Sequence, residues 1–303
     1  MASRSRTLAL LLAVAGLVAA CGAPRGTDGN LVDGWSMLPS AAYTPPPVGQ
    51  CLAGAGFSAF ERPEAVLAPV GCAQEHAVEV VTTGALGDAA APPAWDSDPT
   101  RGAYAACDRA AAAYAGGDWH TGRLLPYLAL PSEPTWRGGV RTYVCGLAEA
   151  ADDLFAPKPR TGSVRDGLKD PAPLALTCVR LDGGDVSPEG FYRRVDAVTP
   201  VPCGEAHDTE FVGAFPAPAG PFPADPQALS AAVSKACFPL VAAFMGLSEA
   251  QLFDRKDVYT FWDGLSAAQW QLGDRVAHCF LNVPAARPLH ASLRGLGPNP
   301  LPA

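Results

Sequence analysis

Two phrases recur in this chain in the same order, and each brings a cysteine with it. Cys72, His76 and Glu79 stand in the spacing C-x3-H-x2-E, and Cys203, His207 and Glu210 repeat it 131 residues later. Trp136, Gly139, Arg141 and Cys145 stand in the spacing W-x2-G-x-R-x3-C, matched by Trp270, Gly273, Arg275 and Cys279. A fainter pair follows, Ser163-Val164-Arg165 against Ser292-Leu293-Arg294. Agreement in order and spacing points to a tandem duplication, with repeat 1 over 47–168, repeat 2 over 169–298 and a short tail over 299–303.

The cysteines sharpen that expectation. There are nine, and setting Cys21 aside leaves four in each half, with successive gaps of 21, 35 and 38 and then 25, 34 and 42. An even count with a repeated rhythm is the mark of a disulfide framework made in an oxidising compartment. No C-x-x-C or zinc-finger spacing occurs, which removes the commonest redox, haem and structural-zinc readings. Hydrophobic residues at 49% suffice for real cores, and a net charge of −8 without basic clusters argues against nucleic acid as a partner.

The N-terminus reads as an export signal over 1–20. Arg4 and Arg6 precede an apolar run from Leu8 to Ala20, shorter than the ~20 residues that a membrane-spanning helix needs. The run ends Val18-Ala19-Ala20-Cys21-Gly22, which resembles the bacterial lipobox. That resemblance implies acylation of Cys21 and a protein held by its acyl chains on the outer face of the cell membrane. Residues 21–46, ending in Pro45 and Pro46, read as an extended tether. No other apolar segment is expected to span a membrane.

Each repeat shows the same coarse plan of strand, strand, strand, helix and strand. Asp98-Pro99 and Asp225-Pro226 look like helix starts, with Asp at the N-cap and Pro at the first turn. Cys107 and Cys237 fall on the apolar faces of these helices. Pro239 is expected to kink or break the second helix, Gly246 to end it, and Ser248 with Gln251 to form a capping box. The fold class is therefore α+β, a disulfide-braced unit with a mostly antiparallel sheet and one main packed helix per copy. A helix folded back over the third strand favours nested pairing, Cys51–Cys145 with Cys72–Cys107 and Cys178–Cys279 with Cys203–Cys237. Sequential pairing is its close rival.

These residues together resemble the septum formation family, an extracytoplasmic domain of actinobacteria often found on lipoproteins. Repeat 1 offers Gly49-Gln50-Cys51-Leu52, the run from Cys72 to Glu79, Cys107, the run from Trp136 to Cys145, and Gly162-Ser163-Val164. Repeat 2 offers Cys203 to Glu210, Cys237, Trp270 to Cys279, and Ala291-Ser292-Leu293. Glu75 and Ala206 stand where the family pattern has proline before the histidine, and Val140 stands where it has aspartate. Copy two opens Leu176-Thr177-Cys178-Val179, without the glycine. The resemblance implies a cell-division or envelope context and carries no catalytic mechanism.

The residue types of the first phrase suit zinc, but cysteines held in disulfides offer no thiolate. Strand alternation would set Glu79 opposite His76, and Glu210 opposite His207. The histidines then read as partly buried groups bonded to nearby backbone, and neither a metal nor a cofactor is expected. No G-x-S-x-G elbow is present, the pair Asp152-Asp153 reads as an exposed turn, and Leu181 to Asp185 reads as a hairpin turn. Trp136 and Trp270 read as core anchors, and Arg141 and Arg275 as structural bridges in a strand. The expectation is a non-catalytic binding or scaffold protein that contacts an envelope or division protein through the groove between repeats. The alternative is a cell-envelope enzyme or ligand sensor in that same cleft, marked by buried histidines and carboxylates with perturbed pKa values.

Overall fold

The first half lays down three antiparallel strands before its main helix and completes its sheet after it. A computed structural model describes residues 43–54, 58–60, 62–63, 67–151, 157–192 and 194–302. The signal peptide, Cys21, the tether up to residue 42 and Asp152-Asp153 lie outside the described residues. The first half runs β1 (Cys51–Ala53), β2 (Ala68–Val70), β3 (Val78–Ala85), α1 (Asp98–Ala115), a 3-10 turn (Trp119–Thr121), β4 (Leu124–Ala129), α2 (Glu133–Arg137), β5 (Thr142–Ala150) and β6 (Pro157–Lys158). The second runs β7 (Cys178–Gly183), β8 (Val195–Val201), β9 (Thr209–Pro216), α3 (Pro226–Met245), α4 (Glu249–Asp254), β10 (Tyr259–Gly264), α5 (Ala267–Leu272) and β11 (Val276–Asn282).

The strand orders are β2-β1-β3-β5-β4, with β6 also on β5, and β8-β7-β9-β11-β10, all antiparallel. Each half contains an unexpected strand, β4 or β10, between its main helix and its closing strand, and the first half adds the short β6. Trp136 and Trp270 lie on the short helices α2 and α5, and Arg141 and Arg275 lie just before β5 and β11 rather than within a strand. The stretch after Leu181 is no tight hairpin, since residues 184–194 connect β7 to β8.

The nested disulfides are overturned. The bridges are Cys51–Cys72, Cys107–Cys145, Cys178–Cys203 and Cys237–Cys279, not Cys51–Cys145, Cys72–Cys107, Cys178–Cys279 and Cys203–Cys237. Antiparallel pairing explains the first bridge. Cys51 lies opposite Val70, so Cys72, two residues further, comes back alongside with its Cα 5.2 Å away. The main helix explains the second. Cys145 lies on the inner strand β5, opposite Thr82 on one side and Leu128 on the other. Helix α1 packs on both β3 and β5, which sets Cys107 over Cys145 rather than over the start of β3.

Helix α1 starts with Asp98 already inside it and Ser97 as the N-cap residue, so Asp98 is not the cap. Helix α3 keeps to the sequence. The Asp225 side chain accepts the Gln227 N–H, Gly246 closes the helix at φ 73°, and Ser248 with Gln251 forms the capping box. Pro239 does not break it. By length and composition α3 could cross a membrane. Here Val233, Cys237, Val241 and Met245 are buried, the helix packs on β9, β10 and β11, and Cys237 is bonded to Cys279.

The largest hydrophobic cluster joins the halves. It holds most of the first half's core together with Val179, Leu181, Val198, Phe211 and Phe280 of the second sheet. Phe211 and Phe280 alternate along their strands with Glu210 and Leu281, and Leu281 packs with α3. The second sheet thus buries one face against α3 and turns the other into the shared core.

Candidate functional site

Glu79 is the second residue of β3 and is 2% exposed. Its carboxylate accepts hydrogen bonds from the Tyr114 hydroxyl at the end of α1, from Ser163 Oγ at 2.7 and 2.9 Å, and from the Val164 N–H at 2.7 Å. Glu210 is 1% exposed and does the same work in β9, accepting from Ser292 Oγ at 2.5 Å and the Leu293 N–H at 2.7 Å. The arginine that follows each serine stacks on the aromatic at the helix end, Arg165 over Tyr114 at 4.1 Å and Arg294 over Phe244 at 4.3 Å. The glutamate of the recurring phrase is therefore a clasp between strand start and closing segment, and in the first half it also holds the main helix. Buried carboxylates are tolerable only with such donors.

The histidines of the phrase orient the chain into the strand. His76 and His207 place Nδ1 at 2.9 and 2.8 Å from the carbonyls of Gln74 and Glu205. Their backbones pair with Arg160 and Leu289. His207 Nε2 lies 3.8 Å from Glu210, and while burial opposes protonation, the Glu210 carboxylate outweighs it and raises the pKa. Ligand atoms of Cys178, His207 and Glu210 lie within 4.8 Å of one another, as do those of Cys51, Cys72 and Glu79. Cys51, Cys72 and Cys178 are all spent in disulfides, so neither set fits a thiolate-ligated metal.

The second phrase is also accounted for by packing. Arg141 lies over the Trp136 ring at 4.0 Å and Arg275 over Trp270 at 5.2 Å. The indole N–H groups donate to Ala89 O at 3.0 Å and to Gly220 O at 2.8 Å. Trp136 is fully buried and Trp270 half-buried.

A different polar cluster forms where the halves meet. Asp274, just before β11, accepts from the Tyr104 hydroxyl of α1 at 2.7 Å and from the Val276 N–H at 3.0 Å. His120 Nε2 approaches the same carboxylate at 3.3 Å, and its Nδ1 meets Asp118 at 2.7 Å. The Trp119 ring stacks on His120 at 3.7 Å between centroids and is pinned by Asp108. Burial disfavours a charged His120, but the two carboxylates overcome it and raise its pKa to about 9. Asp118 is lowered by the His120 hydrogen bond, and Asp274 is lowered because His120 outweighs its burial. His278 of β11 is the opposite case. Burial first and the nearby His120 charge second bring it down to about 4, and its Nε2 has no hydrogen-bond partner among the described residues.

His120 and His278 line a cavity of about 20 Å³ with Phe60, Trp119, Leu124, Leu125, Gly264 and Gln269. That volume holds one water. At neutral pH the cluster carries an imidazolium between two carboxylates beside a neutral imidazole.

The recurring phrases did not point here. Tyr104, Asp118, His120, Asp274 and His278 occupy positions that the two halves do not share. One signal was available: Asp274 stands where the first half has Val140, and His278 where it has Val144. Among comparisons with known proteins, the sequence model of a family described as septum formation matches residues 48–279. No curated protein and no solved structure matches.

Proposed function

The chain belongs to the septum formation family, which points to a role related to the cell envelope, and from that premise we propose a non-catalytic binding or scaffold protein built from two repeats of one disulfide-braced unit. In this reading Cys21 carries the lipid that holds it on the outer face of the cell membrane, and its partner is an envelope or division protein. The observation that carries it is the use made of the recurring polar residues. Glu79, Glu210, His76, His207, Arg141 and Arg275 all bond or stack against their own unit. The matching strand orders and disulfides support descent from one unit.

One observation favours a second reading, an envelope enzyme or ligand sensor. Buried His120 and His278 have pKa values displaced in opposite directions beside a cavity between the halves. His278→Phe separates the two, because it removes the unpartnered imidazole while keeping a ring beside Phe211 and Phe280. In cells lacking the native gene, the scaffold reading expects this variant, shown to be folded by its Tm, to restore septation fully. Loss of septation with an unchanged Tm would favour the enzyme or sensor. For the anchor, Cys21→Ser is expected to move the protein from the membrane pellet to the soluble fraction.

A further inference from the structure

Cys178 opens β7 and lies directly opposite Glu210 of β9 in the antiparallel ladder, so the two side chains share a face. His207 stands just ahead of β9, where strand alternation does not yet apply, and its Nε2 comes within 3.8 Å of Glu210 Oε1. Ligand atoms of Cys178, His207 and Glu210 lie within 4.8 Å of one another, and Cys203 joins them through its bond to Cys178. His207 is 1% exposed, yet its Nε2 has no hydrogen-bond partner among the described residues. Its Nδ1 lies 2.8 Å from the Glu205 carbonyl, which makes Nδ1 the donor and turns the Nε2 lone pair toward the carboxylate. A metal-ligating imidazole is held in this way, by a carbonyl on its other nitrogen. Glu210 is likewise fixed from behind by Leu293 and Ser292.

The first half lacks this arrangement. Its set is Cys51, Cys72 and Glu79, with no nitrogen ligand. Arg160 also stands across an antiparallel bridge from His76, a fixed positive charge that disfavours a second cation, where Leu289 stands across from His207.

We propose that Cys178, Cys203, His207 and Glu210 form a redox-gated zinc site, closed while the cysteines are bonded to each other and able to take one zinc ion once that bridge is reduced. Two thiolates, an imidazole and a carboxylate are a four-ligand set suited to zinc. Tetrahedral bonds of ~2.0–2.1 Å place nitrogen and oxygen ligands ~3.4 Å apart, close to the 3.8 Å between His207 and Glu210. Cys203 is half-buried in a turn, whereas Cys107, Cys145, Cys237 and Cys279 of the helix bridges are 0% exposed. A dithiol reductant therefore reaches Cys203 Sγ first. One of its thiolates attacks that sulfur, the bond to Cys178 breaks, and its second thiolate resolves the mixed disulfide. The reductant leaves as a disulfide, having given up two electrons and two protons, and Cys178 and Cys203 become thiols. Zinc displaces both thiol protons and takes over the link between β7 and the turn ahead of β9.

The test uses the detergent-purified full chain, a phosphine reductant that does not compete for zinc, and zinc(II) or cobalt(II) as the probe. Alkylation with mass mapping follows which bridge opens, and circular dichroism follows the fold. Expected is one metal per chain only after Cys178–Cys203 opens, with a thiolate-to-cobalt charge-transfer band. Glu210→Gln, which keeps the size of the side chain and an acceptor for Leu293, should weaken binding at least tenfold. His207→Gln should do the same, and the Glu210 variant keeps the test open if His207→Gln does not fold. Cys178→Ser with Cys203→Ser should abolish the band, while Cys51→Ser with Cys72→Ser should leave it. Opening of a helix bridge first, a reduced and folded chain that binds no metal, a band indifferent to Glu210→Gln, or a band that persists without Cys178 and Cys203 would each overturn the proposal.

Discussion

The first half and the second half solve one packing problem with the same parts and then spend their remaining polar residues differently. Both set an inner strand under a long helix through a disulfide, and both clasp a buried glutamate with a serine hydroxyl and the next backbone N–H. They differ at the third partner of that glutamate. The first half supplies the Tyr114 hydroxyl, while the second has Phe244 at the matching helix end and sets His207 near Glu210 instead. They also differ at the junction, where Tyr104 and His120 of one half meet Asp274 of the other. What the halves share is what makes the unit fold. What they do not share joins them.

The sharpest way to break this comparison is through the helix disulfides. Cys107–Cys145 closes 38 residues and Cys237–Cys279 closes 42. Replacing either pair with alanine is expected to cost ~4 kcal/mol on loop length alone. Their surroundings differ. Cys107 and Cys145 lie in the cluster shared by both halves, whereas Cys237 and Cys279 lie in a small cluster under α3. Removing the first pair should lower a single cooperative denaturation midpoint. Removing the second should also free α3 amides to exchange hydrogen before the first half opens. Equal exchange behaviour in the two variants would show that the cores are not divided in this way.

The junction predicts a stability maximum between two opposing histidines. His120 has its pKa raised from 6.5 to about 9 by Asp274 and Asp118. Its contribution is complete below pH 6.5 and is lost as pH rises through 9, an effect of up to ~3 kcal/mol. His278, lowered to about 4, stabilises above pH 6.5 and loses that contribution as pH falls toward 4. Asp118 and Asp274, both lowered, add to the acid-side loss below the ordinary carboxylate pKa. Tyr104, raised by burial and by Asp274, stays protonated throughout this range. The Tm should therefore peak near neutrality. His120→Gln should flatten the alkaline fall, and His278→Phe should flatten the acid one. A profile unchanged in His120→Gln would remove His120 as the coupling group between the halves.

These differences also show what the sequence made legible. Helix caps such as Asp225, Gly246 and Ser248 could be read because their partners lie within four residues. The α+β class followed from periodicity. The bonding of His76 and His207 to nearby backbone followed from strand entry, while their full burial and the clasp of Glu79 did not, because Ser163 is 84 residues away. The preferred nested pairing failed for a similar reason, and its sequential rival is the one that forms. The nested pairing assumed that the helix covers the start of the third strand, and only the inserted strands β4 and β10 place Cys145 and Cys279 on inner strands beneath it. The junction was least legible of all. Tyr104 and Asp274 are 170 residues apart, and the recurring phrases direct attention away from them.

Exchanging the third partner of the glutamate sharpens the contrast at a smaller energy. Tyr114→Phe gives the first half the aromatic of the second and removes one donor from the buried Glu79 carboxylate. A hydrogen bond to a charged group contributes ~1.5–3 kcal/mol, so a loss in that range is expected from denaturant midpoints. Phe244→Tyr makes the reverse change and should be near neutral, because Glu210 already holds Ser292, Leu293 and the neighbouring His207. Symmetrical costs in the two variants would mean that the hydroxyl acts by packing, not as a donor.

The smallest effect concerns the stacked arginines. Arg141 lies 4.0 Å from the centre of the Trp136 ring, donates to the Trp136 carbonyl at 2.6 Å and pairs with Asp88 at 3.1 Å. Arg275 lies 5.2 Å from Trp270, and its Nε is buried without a hydrogen-bond partner among the described residues. Cation–π contacts contribute ~0.5–1 kcal/mol at exposed sites and weaken with distance. Arg141→Met should therefore cost more than Arg275→Met, by ~1 kcal/mol once the carbonyl bond is included. Methionine keeps the apolar stem over the indole, so the difference isolates the guanidinium. Removing the Arg275 guanidinium relieves the buried, unpartnered Nε, and that variant should sit within ~0.5 kcal/mol of the native protein. A larger loss at Arg275 than at Arg141 would reverse the ranking and place the stronger clamp in the second half, beside the junction.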